Sequence, residues 1–388
     1  MCSLRQYDDI WPDLTPWLGS LVVDLQHRKK GVGTHLIRAI QEKAKSLGYN
    51  ALYLFTLKLM LPAYYIHRGW TFIGTKTLRG HTATIMKSDL QEKIFVIQPA
   101  NITASLVKKL LTEQFPEYKD LPITPLEMQG HDNHTFRIGS TMLIRMPTKE
   151  VYALAVPKEH EFLPLLAPHL STTIPTPLKM GIPSEQYPFP FSLYQWIPGK
   201  SLNTITCSEA CLEHLAWALA HFLTELQKIS LPGEEKLTPG PHNYWRGDHL
   251  QIYDVDARHQ IMACHTLIDA KKALELWEKA MSTRWHGHPV WIHGDYAPGN
   301  ILIHNGKLSG VIDFGGMGIG DPACDLVIAW TFFKKPHREI FQKAMNLDKD
   351  TWCRAQAWAL WKATYELCTM PQSTDAIKQV EIISNILD

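Results

Sequence analysis

Apolar positions along this 388-residue chain change period several times, and each change predicts an element. Leu215, Leu219, Phe222, Leu223 and Leu226 recur at helical spacing, so Leu212 to Ile229 reads as a buried helix. A second helix is expected from Asn101 through about Phe115, with Asn101 or Thr103 as N-cap. Short apolar runs predict strands at Pro289–Ile292 and Met142–Pro147, and Pro125 to Gly139 reads as strand, turn and strand. Asn305-Gly306, set between Ile301–Ile303 and Leu308–Ile312, predicts a hairpin. Nearer the start, Leu21 to Ile37 reads as a strand, a basic glycine turn and a helix. The pattern changes through Lys87–Asn101 without a Gly/Ser spacer, which places a domain boundary near residue 92. No internal repeat or low-complexity tract occurs.

Two of these turns carry chemistry. His293-Gly-Asp295-Tyr-Ala-Pro-Gly-Asn300 is followed thirteen residues later by Asp313-Phe-Gly315, which puts acidic and amide groups at strand ends. Phosphoryl transfer needs little covalent help and rests on holding the nucleotide, its metal ions and the acceptor hydroxyl in line. Asp295 suits the base that takes or orients the acceptor's proton. Asn300 and Asp313 suit Mg2+, a hard cation that takes oxygen donors. His293 is expected to brace the loop through a hydrogen bond. In Asp321-Pro-Ala-Cys-Asp325 the second carboxylate is expected to cap a helix near Leu326 or brace the catalytic loop.

The segment His293–Asn300 with Asp313-Phe-Gly-Gly-Met-Gly-Ile-Gly-Asp321-Pro-Ala-Cys-Asp325-Leu resembles the aminoglycoside phosphotransferase (APH) family, over about residues 95 to 388. The resemblance implies a bilobal protein-kinase-like fold, with an N-lobe over 93–198 and a C-lobe over 199–388. It implies Mg2+ with ATP or GTP as co-substrate and a small-molecule hydroxyl as acceptor, in an aminoglycoside, a macrolide or a related metabolite. Pro125–Gly139 resembles the family's nucleotide loop but is poor in glycine, so Asn133, Thr135 and backbone N–H groups are expected to meet phosphate. Arg145 stands where a kinase lysine is expected, and a guanidinium fork is not interchangeable with a point charge. The resemblance makes Glu159 its partner, with Glu161 as the alternative. Pro188–Gly199 resembles the strand and linker between lobes, where backbone groups of Gln195, Trp196 and Ile197 are placed to meet a purine edge; the aromatics there equally suit a core. Asn243-Tyr-Trp-Arg246-Gly247 also resembles a family segment, as acceptor cleft or as surface packing.

The first ninety residues follow another pattern. Arg28-Lys-Lys-Gly31-Val-Gly33 between a strand and a helix is a phosphate cradle, because glycines allow close backbone approach and a helix N-terminus offers free N–H groups. With Trp17–Asp24, Ala51–Phe55 and Ala63–Trp70, it resembles the acetyl-CoA turn of the GNAT acetyltransferases, and Tyr65 matches the tyrosine that protonates the departing thiolate. Sixteen residues precede Trp17, too few for that family's first strands. Residues 1–92 therefore read as a partial GNAT-like α/β sheet with helices, with an unpaired edge and an uncovered apolar face, which favours self-association or a partner chain. A structural or vestigial role is favoured over acetyl transfer.

Composition excludes other classes. With 39 basic and 38 acidic residues, the chain gives no bulk charge argument for nucleic acid or membrane binding. Seven scattered cysteines suggest neither a disulfide framework nor a zinc module, and a reducing cytoplasm is expected. No run reaches the length of a membrane span. The reading is an α/β and α+β chain: a truncated acetyltransferase-like domain fused to a small-molecule kinase. An acetyltransferase with a passenger kinase domain and a non-catalytic nucleotide binder are the competing readings.

Overall fold

A computed structural model describes residues 2–8, 10–23, 32–57, 61–66, 70–78, 80–90, 101–127, 129–130, 132–369 and 374–388. The chain forms two compact units, Met1–Phe95 and Val96–Asp388. No helix among the described residues is long and apolar enough to cross a membrane.

The first unit contains β1 (Ser3–Arg5), β2 (Trp17–Gly19), α1 (Val32–Ser46), β3 (Ala51–Thr56), α2 (Leu61–Ile66), β4 (Thr71–Leu78) and β5 (His81–Asp89), with sheet order β1-β2-β3-β5-β4. Strand β3 alternates half-buried and buried residues, which aims Leu52 and Leu54 at a core shared with Ile37, Ile40 and Trp70. Two expectations are corrected here. The edge of β2 is paired, because Ser3–Arg5 turns back on it in antiparallel register, Leu4 opposite Leu18. The second face carries a small cluster in which Ile10, Trp11 and Leu14 join Trp17, Ala83 and Ile85. The described residues before Trp17 thus supply one three-residue strand, whose outer side now forms that edge of the sheet, and part of a cover.

The second unit opens with α3 (Ala104–Gln114), capped by Thr103, whose hydroxyl accepts from Leu106 N at 3.2 Å. There follow β6 (Ile123–Pro125), β7 (Asn133–Ile138), β8 (Met142–Pro147), α4 (Glu150–Ala153), α5 (Ala155–Leu166), β9 (Pro177–Gly181) and β10 (Phe191–Gln195). The strands form an antiparallel sheet in the order β6-β7-β8-β10-β9. Next come β11 (Lys200–Ser201), α6 (Glu209–Gln227), α7 (Asp254–Ala263), α8 (Ala270–Met281), β12 (Val290–Ile292), β13 (Ile301–His304), β14 (Lys307–Val311) and β15 (Gly318–Gly320). The chain closes with α9 (Ile328–Thr331), α10 (Lys335–Met345), α11 (Lys349–Thr369) and α12 (Thr374–Leu387).

Helix α6 starts three residues before the expected Leu212 because Ser208 caps it, accepting from Cys211 N at 3.3 Å. Its stripe, Leu215, Leu219, Phe222, Leu223 and Leu226, is fully buried, and at about 1.5–3 kcal/mol per large apolar side chain this packing outweighs intrinsic helix propensity. Strands β13 and β14 form the expected hairpin, with Asn305 and Gly306 both left-handed as its turn requires. The hairpin and the β12–β15 pair present the loops that carry His293–Asn300 and Asp313–Gly316.

Candidate active site

The loop after β12 is bent by Gly294, whose φ is +83°; a Cβ there would lie 2.0 Å from the Gly316 carbonyl oxygen. Only glycine lets the two acid-bearing loops touch. The buried Asp325 carboxylate holds the bend, accepting from His293 N at 2.6 Å and Gly294 N at 2.8 Å. Burial pushes its carboxyl up, more than His293 and the two N–H groups pull it down. Of the two roles foreseen for Asp325, the geometry is that of a loop brace, and Asp321 is the cap, accepting from Ala323 N at 3.0 Å. The fully buried His293 bonds through Nε2 to the Ile312 carbonyl at 2.9 Å and accepts from Asp295 N at Nδ1, at 3.2 Å.

Asn300 donates to the Asp295 backbone oxygen at 2.9 Å and to its Oδ2 at 3.1 Å. The other carboxylate oxygen of Asp295 is 2.7 Å from Nζ of Lys362, on α11. Burial works to raise the Asp295 carboxyl, but Lys362, with help from Arg246 and His293, outweighs it and holds it at about 2. It is thus an ionised acceptor across the neutral range.

Asp313 sits in the left-handed region, φ 67° and ψ 67°, a conformation that costs a non-glycine residue about 1–2 kcal/mol and recurs at functional sites. Its Oδ1 accepts from Arg145 at 2.7 Å, while the other fork of Arg145 lies 3.5 Å from Glu159 Oε1. The guanidinium on β8 therefore joins α5 to the Asp313 loop. Burial disfavours its charge, and Asp313 and Glu159 more than restore it, so its pKa is raised. Glu159, 2% exposed, also takes the Tyr194 hydroxyl proton as a hydrogen bond; burial still leaves its carboxyl raised. Glu161, the alternative partner, lies instead 3.6 Å from Lys236. Beside Glu159, buried Lys158 turns the other way and donates to the carbonyls of Gly315 at 2.8 Å, Met317 at 3.1 Å and His242 at 3.1 Å. Burial lowers its pKa to about 8.

The nucleotide loop differs in detail from expectation. Thr135 lies opposite Arg145 in the β7–β8 register, so both side chains share one face. Its backbone N–H, however, is taken by the Gln129 side chain at 2.7 Å, and that amide also reaches the Leu126 and Thr135 carbonyls. Gln129 ties together a loop whose one glycine is Gly130, so of Thr135 it is the side chain that is left open toward the expected phosphate. Asn133 begins β7 opposite Pro147. In the linker, Gln195 N donates to the Thr176 carbonyl at 2.9 Å and Trp196 N to the Thr141 carbonyl at 2.8 Å. Of the backbone groups of Gln195, Trp196 and Ile197 expected to meet a purine, these two N–H groups are spent on the fold, which leaves the Ile197 N–H and the linker carbonyls. The Trp196 ring carries the Arg137 guanidinium 3.7 Å from its centroid.

Asn300 and Asp313 offer hard oxygen donors, and among the described residues no group of three or more His, Cys, Asp or Glu converges to form a complete metal cage. That donor set fits Mg2+, which takes one or two protein oxygens and completes its shell with phosphate and water.

Several groups that sequence reasoning did not single out meet Asp295 in a pocket, among them Lys362, Trp358 and Trp361 of α11. Their i, i+3, i+4 spacing marks one helix face, a signal present in the sequence but silent about which loop that face meets.

In the first unit, Arg28 and Gly31 lie outside the described residues. Gly33 lies in the first turn of α1. Tyr65 is 5% exposed and stands edge-on to Trp70, ring centroids 5.6 Å apart. That places its ring in the core cluster of the described residues.

An antiparallel sheet with one crossing helix, joined to a helical lobe whose two acid-bearing loops touch, defines a phosphotransferase of the kinase type. Residues 123–358 match the phosphotransferase enzyme family, and with more than half of the chain matched, this chain belongs to that family and is an enzyme of the small-molecule kinase class. Residues 1–68 match the acetyltransferase (GNAT) family. The fold is shared with the GDP and kanamycin complex of APH(2'')-IIIa, at 21% identity and TM-score 0.56 over 72% of this chain and 96% of that one. It is shared also with the GDP complex of wild-type aminoglycoside 2'-phosphotransferase-IIIa, at 19% identity and TM-score 0.58 over 72% of this chain and 97% of that one. A curated relative, the uncharacterized protein YcbJ of Bacillus subtilis (strain 168), is 34% identical over 82 residues, 19% of this chain; the match spans 27% of that protein's length.

Proposed function

We propose that this chain transfers the γ-phosphoryl group of ATP or GTP to a hydroxyl of a small molecule, with Asp295 as the proton acceptor. The observation that carries the reading is the meeting of Asp295 and Asn300 with the Asp313 loop, across the contact of Gly294 with Gly316. GDP in the APH(2'')-IIIa complexes supports a nucleotide in the corresponding cleft.

Arg145 and the Thr135 side chain face the phosphates. Mg2+, when bound, would be held by Asn300 and Asp313 and would neutralise phosphate charge. The acceptor oxygen forms a bond to the γ-phosphorus as the bond from that phosphorus to the β–γ bridging oxygen breaks. The acceptor's proton passes to Asp295 and then to solvent, and the nucleoside diphosphate leaves with the bridging oxygen. A carboxylate held at about 2 is a weak base, which suits a loose transition state in which positioning matters more than proton abstraction.

Asp295→Asn tests this. Turnover with Mg-ATP, followed as ADP release, should fall about 10²- to 10⁴-fold, while nucleotide affinity stays within about twofold. Unchanged turnover in the variant would sink the assignment.

A further inference from the structure

The pocket beside Asp295 has a charge pattern that selects its occupant. Arg246 lies over the rings of Trp361, Trp358 and Tyr253, with its guanidinium carbon 4.9, 5.2 and 5.9 Å from their centroids. Among the described residues no carboxylate pairs with this guanidinium. Lys362 lines the same pocket, and Asp295 is the one carboxylate in its walls. The neighbouring acids are committed elsewhere, Asp321 to Arg354 at 2.6 Å and Asp325 to the catalytic-loop N–H groups. The indole nitrogens of Trp358 and Trp361 are buried without a hydrogen-bond partner. The walls thus set two cations, Arg246 and Lys362, against one carboxylate.

The backbone that presents Arg246 is held in a costly shape. Tyr244, Trp245 and Gly247 all have left-handed φ, 56°, 57° and 83°, and strain of this kind persists where surrounding structure over-determines it. Here the fully buried Asn243 donates to the Arg246 carbonyl at 3.1 Å, Asp321 N donates to the Gly247 carbonyl at 2.8 Å, and the Tyr253 hydroxyl bonds to the Tyr244 carbonyl. A Cβ at Gly247 would lie 2.7 Å from Ile292 Cδ1, so the loop packs directly on the strand that leads into the catalytic loop.

We infer that the phosphoryl acceptor is a hydroxylated oxyanion, a carboxylate or phosphate ester whose negative group is held by Arg246, and not a polycation such as kanamycin. This rests on the phosphotransferase reading above. The anion pairs with a half-buried guanidinium held in place over its aromatic neighbours, and its hydroxyl is carried toward Asp295. A polycation would meet two like charges and find its one carboxylate already paired with Lys362 at 2.7 Å.

The test uses the full chain saturated with Mg-ADP, so that the nucleotide's phosphate site is filled. Binding is measured by calorimetry for gluconate and glucose 6-phosphate, each against glucose, for glycerate against glycerol, and for kanamycin. At least one anion should bind at least tenfold tighter than its neutral counterpart, and kanamycin should bind more weakly than that anion. Arg246→Gln should abolish the preference, Arg246→Lys should restore part of it, and nucleotide affinity should hold. A purely structural arginine would leave the charge preference of the folded variant unmoved. Absence of any anion preference, tighter binding of kanamycin, or a preference that survives in Arg246→Gln each overturns the inference. The gluconate and glucose 6-phosphate arms separate carboxylate from phosphate. Asp295-dependent ADP release, run in parallel, keeps the two readings apart: its loss sinks phosphoryl transfer, whereas intact release without anion preference sinks only the acceptor class.

Discussion

Arg145 shows how one substituted side chain changes a site's construction. Its fork reaches two carboxylates on separate elements, Asp313 at 2.7 Å and Glu159 at 3.5 Å, where a lysine could offer only a point charge. Glu159 is almost wholly buried, so removing Arg145 leaves a buried carboxylate without its ion-pair partner, held by the Tyr194 hydroxyl alone among its hydrogen bonds. Arg145→Ala should cost about 3 kcal/mol by urea unfolding, the low end for breaking a buried pair, since 17% of the arginine side chain is exposed. Adding Glu159→Gln should return about half of that, because a neutral amide has a smaller desolvation cost. Additive effects in this double-mutant cycle would mean that the two side chains do not pair in solution. The sequence showed Arg145 and Glu159 as candidates. It did not show that Arg145 also reaches Asp313, a contact across 168 positions of chain.

At the scale of elements, α5 acts as a two-sided clamp. Glu159 faces Arg145 while Lys158, its neighbour, grips the carbonyls that follow Asp313. Those carbonyls belong to a turn that cannot satisfy them within regular structure, which is why an ammonium with three donors is buried there. The Lys158 pKa is lowered to about 8 from 10.5, so between those values the unfolded chain binds more protons than the folded one. Stability then rises with pH across that window on account of this group. Comparing unfolding free energies at pH 7.5 and 10.5, Lys158→Met should lose that rise relative to the parent protein; parallel curves would remove the clamp from this account. The hairpin and the two helices were legible, to within about a turn at their ends, because turn chemistry and burial repeat locally. The three-residue strand β1 was not, since Ser3–Arg5 has no periodicity and is a strand only because β2 offers it an edge.

For the whole molecule, the balance of 39 basic and 38 acidic residues conceals a cationic pocket, because charge that is neutral in sum is sorted by the fold. All the residues placed around Asp295, Asp313 and Arg246 belong to Val96–Asp388. Residues 96–388 expressed alone should therefore unfold cooperatively and retain nucleotide-dependent, Asp295-dependent turnover within about threefold of the full chain, a margin under about 0.7 kcal/mol. A fragment that folds but has lost turnover would show that the first unit contributes to the site.

The sequence by itself pointed to the residues proposed for phosphoryl transfer, because Asp295, Asn300 and Asp313 sit in short turns whose spacing is a local property of the chain. It also determined the helices and hairpin, whose periods are written in neighbouring residues. Tertiary structure alone decided what those groups face. Lys362 reaches Asp295 from a helix 67 positions later, and Asp325 braces the loop from 31 and 32 positions away. Charge pairing and burial act through space between distant segments, so the sign of the pocket, on which the proposed acceptor class rests, exists only in the folded chain.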